Sequence, residues 1–139
     1  MNRMKKNLHF QSWLALAVAL PAIVVLSGCI ALVAGAAAGV AGVSYVGNEL
    51  RTTVDASFDR VWTAARGAVT DLQLSRAGEE RDAVFGRLKA VNAKGQPVEI
   101  EIFRKGDRLT EIRIRVGTFS TSENRSFESL IYEKMRARF

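Results

Sequence analysis

The chain has 139 residues, with 20 Lys and Arg against 14 Asp and Glu, one Cys, one His and 48% hydrophobic residues. That is one domain's worth of chain at most, and one Cys with one His excludes both an internal disulfide and a four-ligand Cys/His zinc site. The net charge of +6 hints at nucleic acid, but Arg3, Lys5 and Lys6 cluster at the N-terminus and the other basic residues are interleaved with acids. Nucleic-acid binding needs a clustered basic face with stacking aromatics, so it is not expected here.

Residues 1–10 hold three fixed positive charges and no acid, and residues 13–26 (WLALAVALPAIVVL) hold no charge. A basic start followed by a short apolar run is the layout of a secretory signal peptide, over residues 1–28, with the basic end kept on the cytoplasmic side. The run closes on Leu26-Ser27-Gly28-Cys29, which resembles the lipobox of bacterial lipoproteins. That resemblance implies a lipid on the Cys29 sulfur and cleavage between Gly28 and Cys29, leaving the chain tethered to a membrane. The alternative is an uncleaved membrane helix with Cys29 as a buried thiol. Residues 13–46 are uncharged throughout, too long a stretch for one simple span, which favours processing.

Cleavage removes His9, and acylation consumes the thiol. Residues 29–139 then contain no His and no free Cys, which excludes His-based acid–base chemistry, Ser-His-Asp and Cys-His nucleophiles, and Cys/His metal sites. No cofactor and no metal are expected.

Residues 29–47 form an apolar tether rich in Gly and Ala. As a helix, residues 30–47 would be about 27 Å long, close to the hydrocarbon thickness of a bilayer. Gly35 and Gly39 make a G-x-x-x-G pair, and Ala34, Ala38 and Gly42 add a second ridge of small residues. That pattern lets membrane helices approach closely and would support a homo-oligomer. The other reading is a spacer lying on the membrane surface.

A globular domain is expected over residues 48–139. Residues 48–54 read as a first strand. Ser57 looks like an N-cap, and Phe58, Val61, Trp62, Ala65, Val69 and Leu72 recur at helical spacing, predicting a helix over 58–72. Leu72 and Leu74 lead into a short second strand that ends at Gly78-Glu79-Glu80-Arg81-Asp82.

Three runs then alternate with period two: Gly86, Leu88 and Ala90; Val98, Ile100 and Ile102; Ile112, Ile114 and Val116. Each has one buried and one wet face, and the stretches 92–96 and 105–108, with Gly95 and Gly106, are hairpin-sized. Charge sets a register: Arg87 opposite Glu101 and Lys89 opposite Glu99, then Glu101 opposite Arg113 and Glu99 opposite Arg115. The wet face becomes a basic–acidic–basic stripe that neutralises itself. Ser120-Thr121-Ser122-Glu123 has capping-box spacing, and Phe127, Leu130, Ile131 and Met135 predict the apolar face of a final helix. The expected fold is α+β: a two-layer sandwich in the order β-α-β-β-β-β-α, with an antiparallel sheet and both helices on its one apolar face.

The lipobox, the Gly/Ala tether, the strand start G-N-E-L, the helix start D-A-S-F-D-R-V-W and the R-I-R-V-G-T-F before the last helix together resemble the small bacterial lipoprotein family of domain of unknown function 3568. The resemblance spans nearly the whole chain and implies an envelope lipoprotein, with no activity or catalytic residue to carry over. Ile30 follows Cys29, where lipoproteins retained in the inner membrane often carry Asp, so the resemblance implies an outer-membrane anchor facing the periplasm. Two function classes follow. One is a non-catalytic module that binds an envelope protein or a wall component. The other is a carboxylate-based wall hydrolase, whose candidate acids would be Asp55, Asp59 and Asp71. No pair of acids stands out among them, and an enzyme is not expected.

Overall fold

The structure is a computed structural model that describes residues 42–139. The expectations for the signal peptide 1–28, for lipidation at Cys29 and for the Gly35–Gly39 pair lie outside the described residues.

The elements run β1 Ser44–Val46, β2 Glu49–Asp55, α1 Phe58–Asp71, β3 Ser75–Arg81, β4 Phe85–Val91, β5 Pro97–Arg104, β6 Leu109–Val116 and α2 Ser122–Arg136. All strands belong to one antiparallel sheet in the order β1-β2-β6-β5-β4-β3. Helix α1 lies over β4, β5 and β6, α2 lies over β6 and β2, and the helices pack on each other. This is the two-layer α+β sandwich, with both helices on one face of the sheet.

Period two dictates the centre of the sheet. Arg87 pairs with Glu101, Leu88 with Ile100 and Lys89 with Glu99; Glu99 pairs with Arg115, Glu101 with Arg113 and Ile102 with Ile112. Both registers are the ones that the charges demand, because a slip of one residue would turn Leu88, Ile100, Ile102, Ile112 and Ile114 to water. Those side chains are at most 3% exposed. On α1 the same faces meet: Phe58, Val61, Trp62, Ala64, Ala65, Ala68 and Val69 are buried, with the Phe58 and Trp62 rings stacked 6.5 Å apart.

Four local features differ from the sequence reading. The last residues of the apolar run are not tether: Ser44–Val46 adds a strand, joined to β2 by the two-residue turn Gly47-Asn48 with Gly47 at φ 65. Tyr45 lands on the helix side, where its hydroxyl meets Ser129 Oγ at 2.7 Å and donates to Arg125 O at 3.2 Å. The domain therefore begins ahead of residue 48.

Strand β3 also runs on through Gly78-Glu79-Glu80-Arg81 instead of ending there. It is an edge strand with only β4 beside it and a register shift between Arg76 and Gly78. Its helix-facing side chains dock on α1 by polar contacts: Arg76 on the Thr70 hydroxyl at 3.2 Å, Glu79 against Arg66 at 3.7 Å, and Arg81 on Asp59. The Arg81 guanidinium covers the Phe58 and Trp62 rings at 5.3 and 5.5 Å. Inward charge of this kind blunts an edge that would otherwise template another strand.

The caps differ in detail. Ser57 sits at the N-cap of α1 with extended backbone but its side chain makes no cap hydrogen bond. On α2 the cap is Thr121, whose hydroxyl accepts from Asn124 N at 3.1 Å, so the expected Ser120–Glu123 box is displaced by one residue. With it turns the buried face of α2, which is Asn124, Glu128, Ile131, Tyr132 and Met135. Leu130, expected in the core, is 42% exposed, and Phe127 is only partly buried.

Candidate binding end of the domain

The three candidate carboxylates are all engaged by arginines. Asp55, at the end of β2, accepts from Arg108 Nε at 3.2 Å. Asp59, in the first turn of α1, meets Arg81 and lies 4.0 Å from Arg104. Asp71 accepts from Arg138 at 2.6 Å, and twelve helical residues put it about 18 Å along the axis from Asp59. An acid pair that flanks one bond needs two carboxyls within about 5–10 Å of each other, and Asp71 does not share a site with Asp59.

The outer face of the sheet is a lattice of compensated charge. Arg87 reaches Glu101 at 2.8 Å, Glu99 at 3.2 Å and Glu80 at 3.4 Å. Glu49 is 8% exposed and is ringed by Arg51 at 2.6 Å, Arg115 at 3.7 Å and Arg113 at 4.0 Å. Partial burial would raise the Glu111 carboxyl, but hydrogen bonds from Arg113 and Lys105 outweigh it and hold the group below its usual range. The Phe85 and Phe103 rings lie on this face at 5.1 Å from each other, with Arg113 over Phe103 at 4.3 Å and Arg87 over Phe85 at 5.1 Å. Arg51, Arg87, Lys105, Arg113 and Arg115 each have a carboxylate within 4.0 Å on this face, which pins the register.

The end of the sheet where β2, β3 and β5 start and β4 and β6 finish is built differently. Its connections are held together by side-chain amides. Asn92 Oδ1 accepts from Lys94 N and Gln96 N at 3.0 and 2.9 Å, closing the β4–β5 hairpin around Gly95 at φ 76. Asn92 Nδ2 donates to Gln96 Oε1 at 2.9 Å, and Gln96 Nε2 donates to Asn124 Oδ1 at 3.2 Å. Asn124 Nδ2 in turn donates to Phe119 O at 2.8 Å, and Asn48 Nδ2 to Thr118 O at 3.1 Å. Three turns and the start of α2 thus form one hydrogen-bonded unit. Gly117, at φ 67, makes room for it: a Cβ there would stand 2.8 Å from Asn124 Nδ2.

Beside this unit opens a groove of ≈ 380 Å³ between the end of α1, the β4–β5 hairpin and α2. Its walls are Leu72, Leu74, Ala93, Phe127 and Leu130, with the Lys94–Glu123 ion pair on the rim. The one hydroxyl in its lining, Ser126, is spent on Ser122 O at 2.9 Å. The lining can bury apolar groups, and its acid and its base, Glu123 and Lys94, are paired with each other on the rim. A signal for the groove lies in Asn124 at the third helical position: with Asn124 buried, Leu130 turns out to solvent and Phe127 is left half-buried.

Under α2, Glu128 is 1% exposed. Its Oε1 accepts from Val116 N at 3.0 Å, and its Oε2 has no hydrogen-bond partner. Burial pushes this carboxyl above its usual range, with Glu49 adding to the effect and the Val116 N–H and Arg125 opposing it.

Among the described residues, no group of three or more His, Cys, Asp or Glu is placed to hold a metal ion, and no helix is long and apolar enough to cross a membrane. Compared with known families, residues 12–128 match the one described as Protein of unknown function (DUF3568). No curated protein matches the chain.

Proposed function

The chain belongs to the DUF3568 family, and from that premise we propose that it is a lipid-anchored bacterial envelope protein whose small domain is a non-catalytic binding module. The observation that carries this reading is Leu26-Ser27-Gly28-Cys29 at the end of an uncharged run behind Arg3, Lys5 and Lys6. Cleavage after Gly28 leaves Cys29 as the first residue and its sulfur as the lipid acceptor, and the domain then faces the periplasm, from the outer membrane given Ile30 at the second position. Binding in place of catalysis is supported by the pairing of Asp55, Asp59 and Asp71 with arginines and by a groove in which Leu72, Leu74, Ala93, Phe127 and Leu130 stand beside the amides of Asn92, Gln96 and Asn124. The groove suits an apolar segment of an envelope partner.

The test is the intact mass of the full-length protein extracted from membranes of a bacterial host. The expected mass is that of residues 29–139 plus a diacylglyceryl group, with or without a further acyl chain on the new N-terminus. Cys29→Ala should keep residues 1–28. A wild-type mass that includes residues 1–28 overturns the anchor and makes this an integral membrane protein.

A further inference from the structure

The two edges of the sheet are built on opposite plans. Strand β3 carries Arg76, Glu79, Glu80 and Arg81, and its inward charges guard that edge. The β1 edge has no such guard: residues 42–48 (GVSYVGN) contain no charge. Val43, Tyr45 and Val46 stand on it at 42, 38 and 50% exposure. Val46 and Glu49 close the two-residue turn, so the alternation of an antiparallel ladder points the N–H and C=O of Val43 and Tyr45 away from β2. An uncharged edge with open backbone groups is a template for another strand.

We propose that β1 pairs antiparallel with β1 of a second copy of this chain, joining two six-stranded sheets about a twofold axis beside Ser44. Ser44 then stands opposite Ser44 of the second copy, and Tyr45 exchanges backbone hydrogen bonds with Val43 of that copy. The Tyr45 and Val43 side chains share the helix side of the sheet, where an aromatic and a β-branched residue make a favourable cross-strand pair. Charge on α2 points to a second copy as the partner. Tyr45 touches Ser129, and Arg125 and Glu133 stand four residues to either side of Ser129. Arg125 bonds the Ser120 hydroxyl and covers the Tyr45 ring at 5.2 Å, with no carboxylate at ion-pair distance among the described residues. Glu133 is exposed and has Arg136 at 3.8 Å. A twofold axis runs the second α2 antiparallel to the first, which brings Arg125 of each copy toward Glu133 of the other. The strand is short, so the contact draws on the effective concentration of copies held in one membrane, whether by a lipid anchor or by an uncleaved helix.

The experiment uses the full-length protein in membranes of a bacterial host, oxidised with copper phenanthroline and run on non-reducing gels. Residues opposite each other in a non-hydrogen-bonded antiparallel pair have Cα atoms about 4.5 Å apart, a separation that a disulfide spans. Ser44→Cys should therefore give a disulfide-linked dimer several-fold more abundant than Ser75→Cys, at the start of β3, or Val84→Cys, on the β3–β4 turn. Equal yields from the three variants overturn the interface. Adding Glu133→Arg to Ser44→Cys should lower the yield several-fold, and adding Arg125→Glu as well should restore it. A yield that Glu133→Arg leaves unchanged, or that the charge exchange does not restore, overturns the antiparallel arrangement of the helices. A dimer from the wild-type protein marks a free Cys29 thiol and overturns the lipid anchor alone; the interface is then read from Ser44→Cys combined with Cys29→Ala.

Discussion

The Trp62 ring lies so close to the backbone of Gly86 that a Cβ on Gly86 would stand 2.5 Å from Trp62 Cζ3 and 2.6 Å from Cε3. The largest fully buried side chain of α1 thus seats on the one position of β4 that has no side chain, the usual reason for a glycine within a strand. Gly86→Ala should destabilise the domain by about 1–3 kcal/mol, because a packed core yields to added volume only by strain. In a Trp62→Phe background the same substitution should cost much less, and denaturant unfolding of the four proteins in the cycle measures the coupling.

Glu128 predicts a pH dependence with a definite sign. Its folded-state pKa is raised above the unfolded value, so between the two values the folded state binds more protons, and stability must fall as pH rises through that window. The stabilising contribution is fully present below the ordinary Glu range and is lost above the raised pKa. Thermal unfolding across acidic to neutral pH should show this decline in the wild type, and the wild-type minus Glu128→Gln difference should isolate it from Glu111, whose lowered pKa acts in the opposite sense at lower pH.

The helix caps give a paired comparison. Thr121→Ala removes the oxygen that accepts from Asn124 N and should cost about 1 kcal/mol. Ser57→Ala removes a hydroxyl that caps nothing and should cost a few tenths at most. Urea midpoints of the two variants decide the order, and equal effects would contradict the cap assignment.

Asn124 is 4% exposed and bonds both Gln96 and Phe119 O. Asn124→Ala should cost about 1–2 kcal/mol, since it leaves the part-buried Phe119 carbonyl and the Gln96 amide without their partners. Faster amide exchange at Lys94 and Gln96 should accompany the loss, because the hairpin is then released from α2.

Strand β3 should open well ahead of the centre of the sheet. All seven of its residues are exposed and its hold on α1 is polar, so its amides should exchange well ahead of those of β5 and β6. Arg81→Ala should widen that gap while lowering global stability by no more than about 1 kcal/mol.

The centre of the domain was legible in the chain. Strands β4, β5 and β6 alternate apolar and charged residues with period two, and their signs allow one register, so Arg87, Glu101 and Arg113 align as the pattern requires. The buried face of α1 was legible for the same reason, a clear helical period ending in Trp62, Ala65 and Val69. The three candidate carboxylates could be named from the sequence, but that arginines occupy them could not, since Arg81, Arg108 and Arg138 come from distant positions.

What the sequence by itself determined is thus whatever rests on local periodicity and on the order of residues: the α+β class, the central registers, the first helix face, and the basic–apolar–cysteine pattern at the N-terminus. The tertiary structure decided what depends on a neighbour. Ser44–Val46 is a strand because β2 offers an edge and α2 offers Tyr45 a partner. The residues Gly78-Glu79-Glu80-Arg81 stay extended because β4 and α1 take up their hydrogen bonds and charges. Helix α2 buries Asn124 and Glu128 and exposes Leu130 because backbone groups of the β6–α2 connection need those polar partners. A buried amide or carboxylate is stable only when its partner is already in place, and a partner that lies elsewhere in the chain has no local signature.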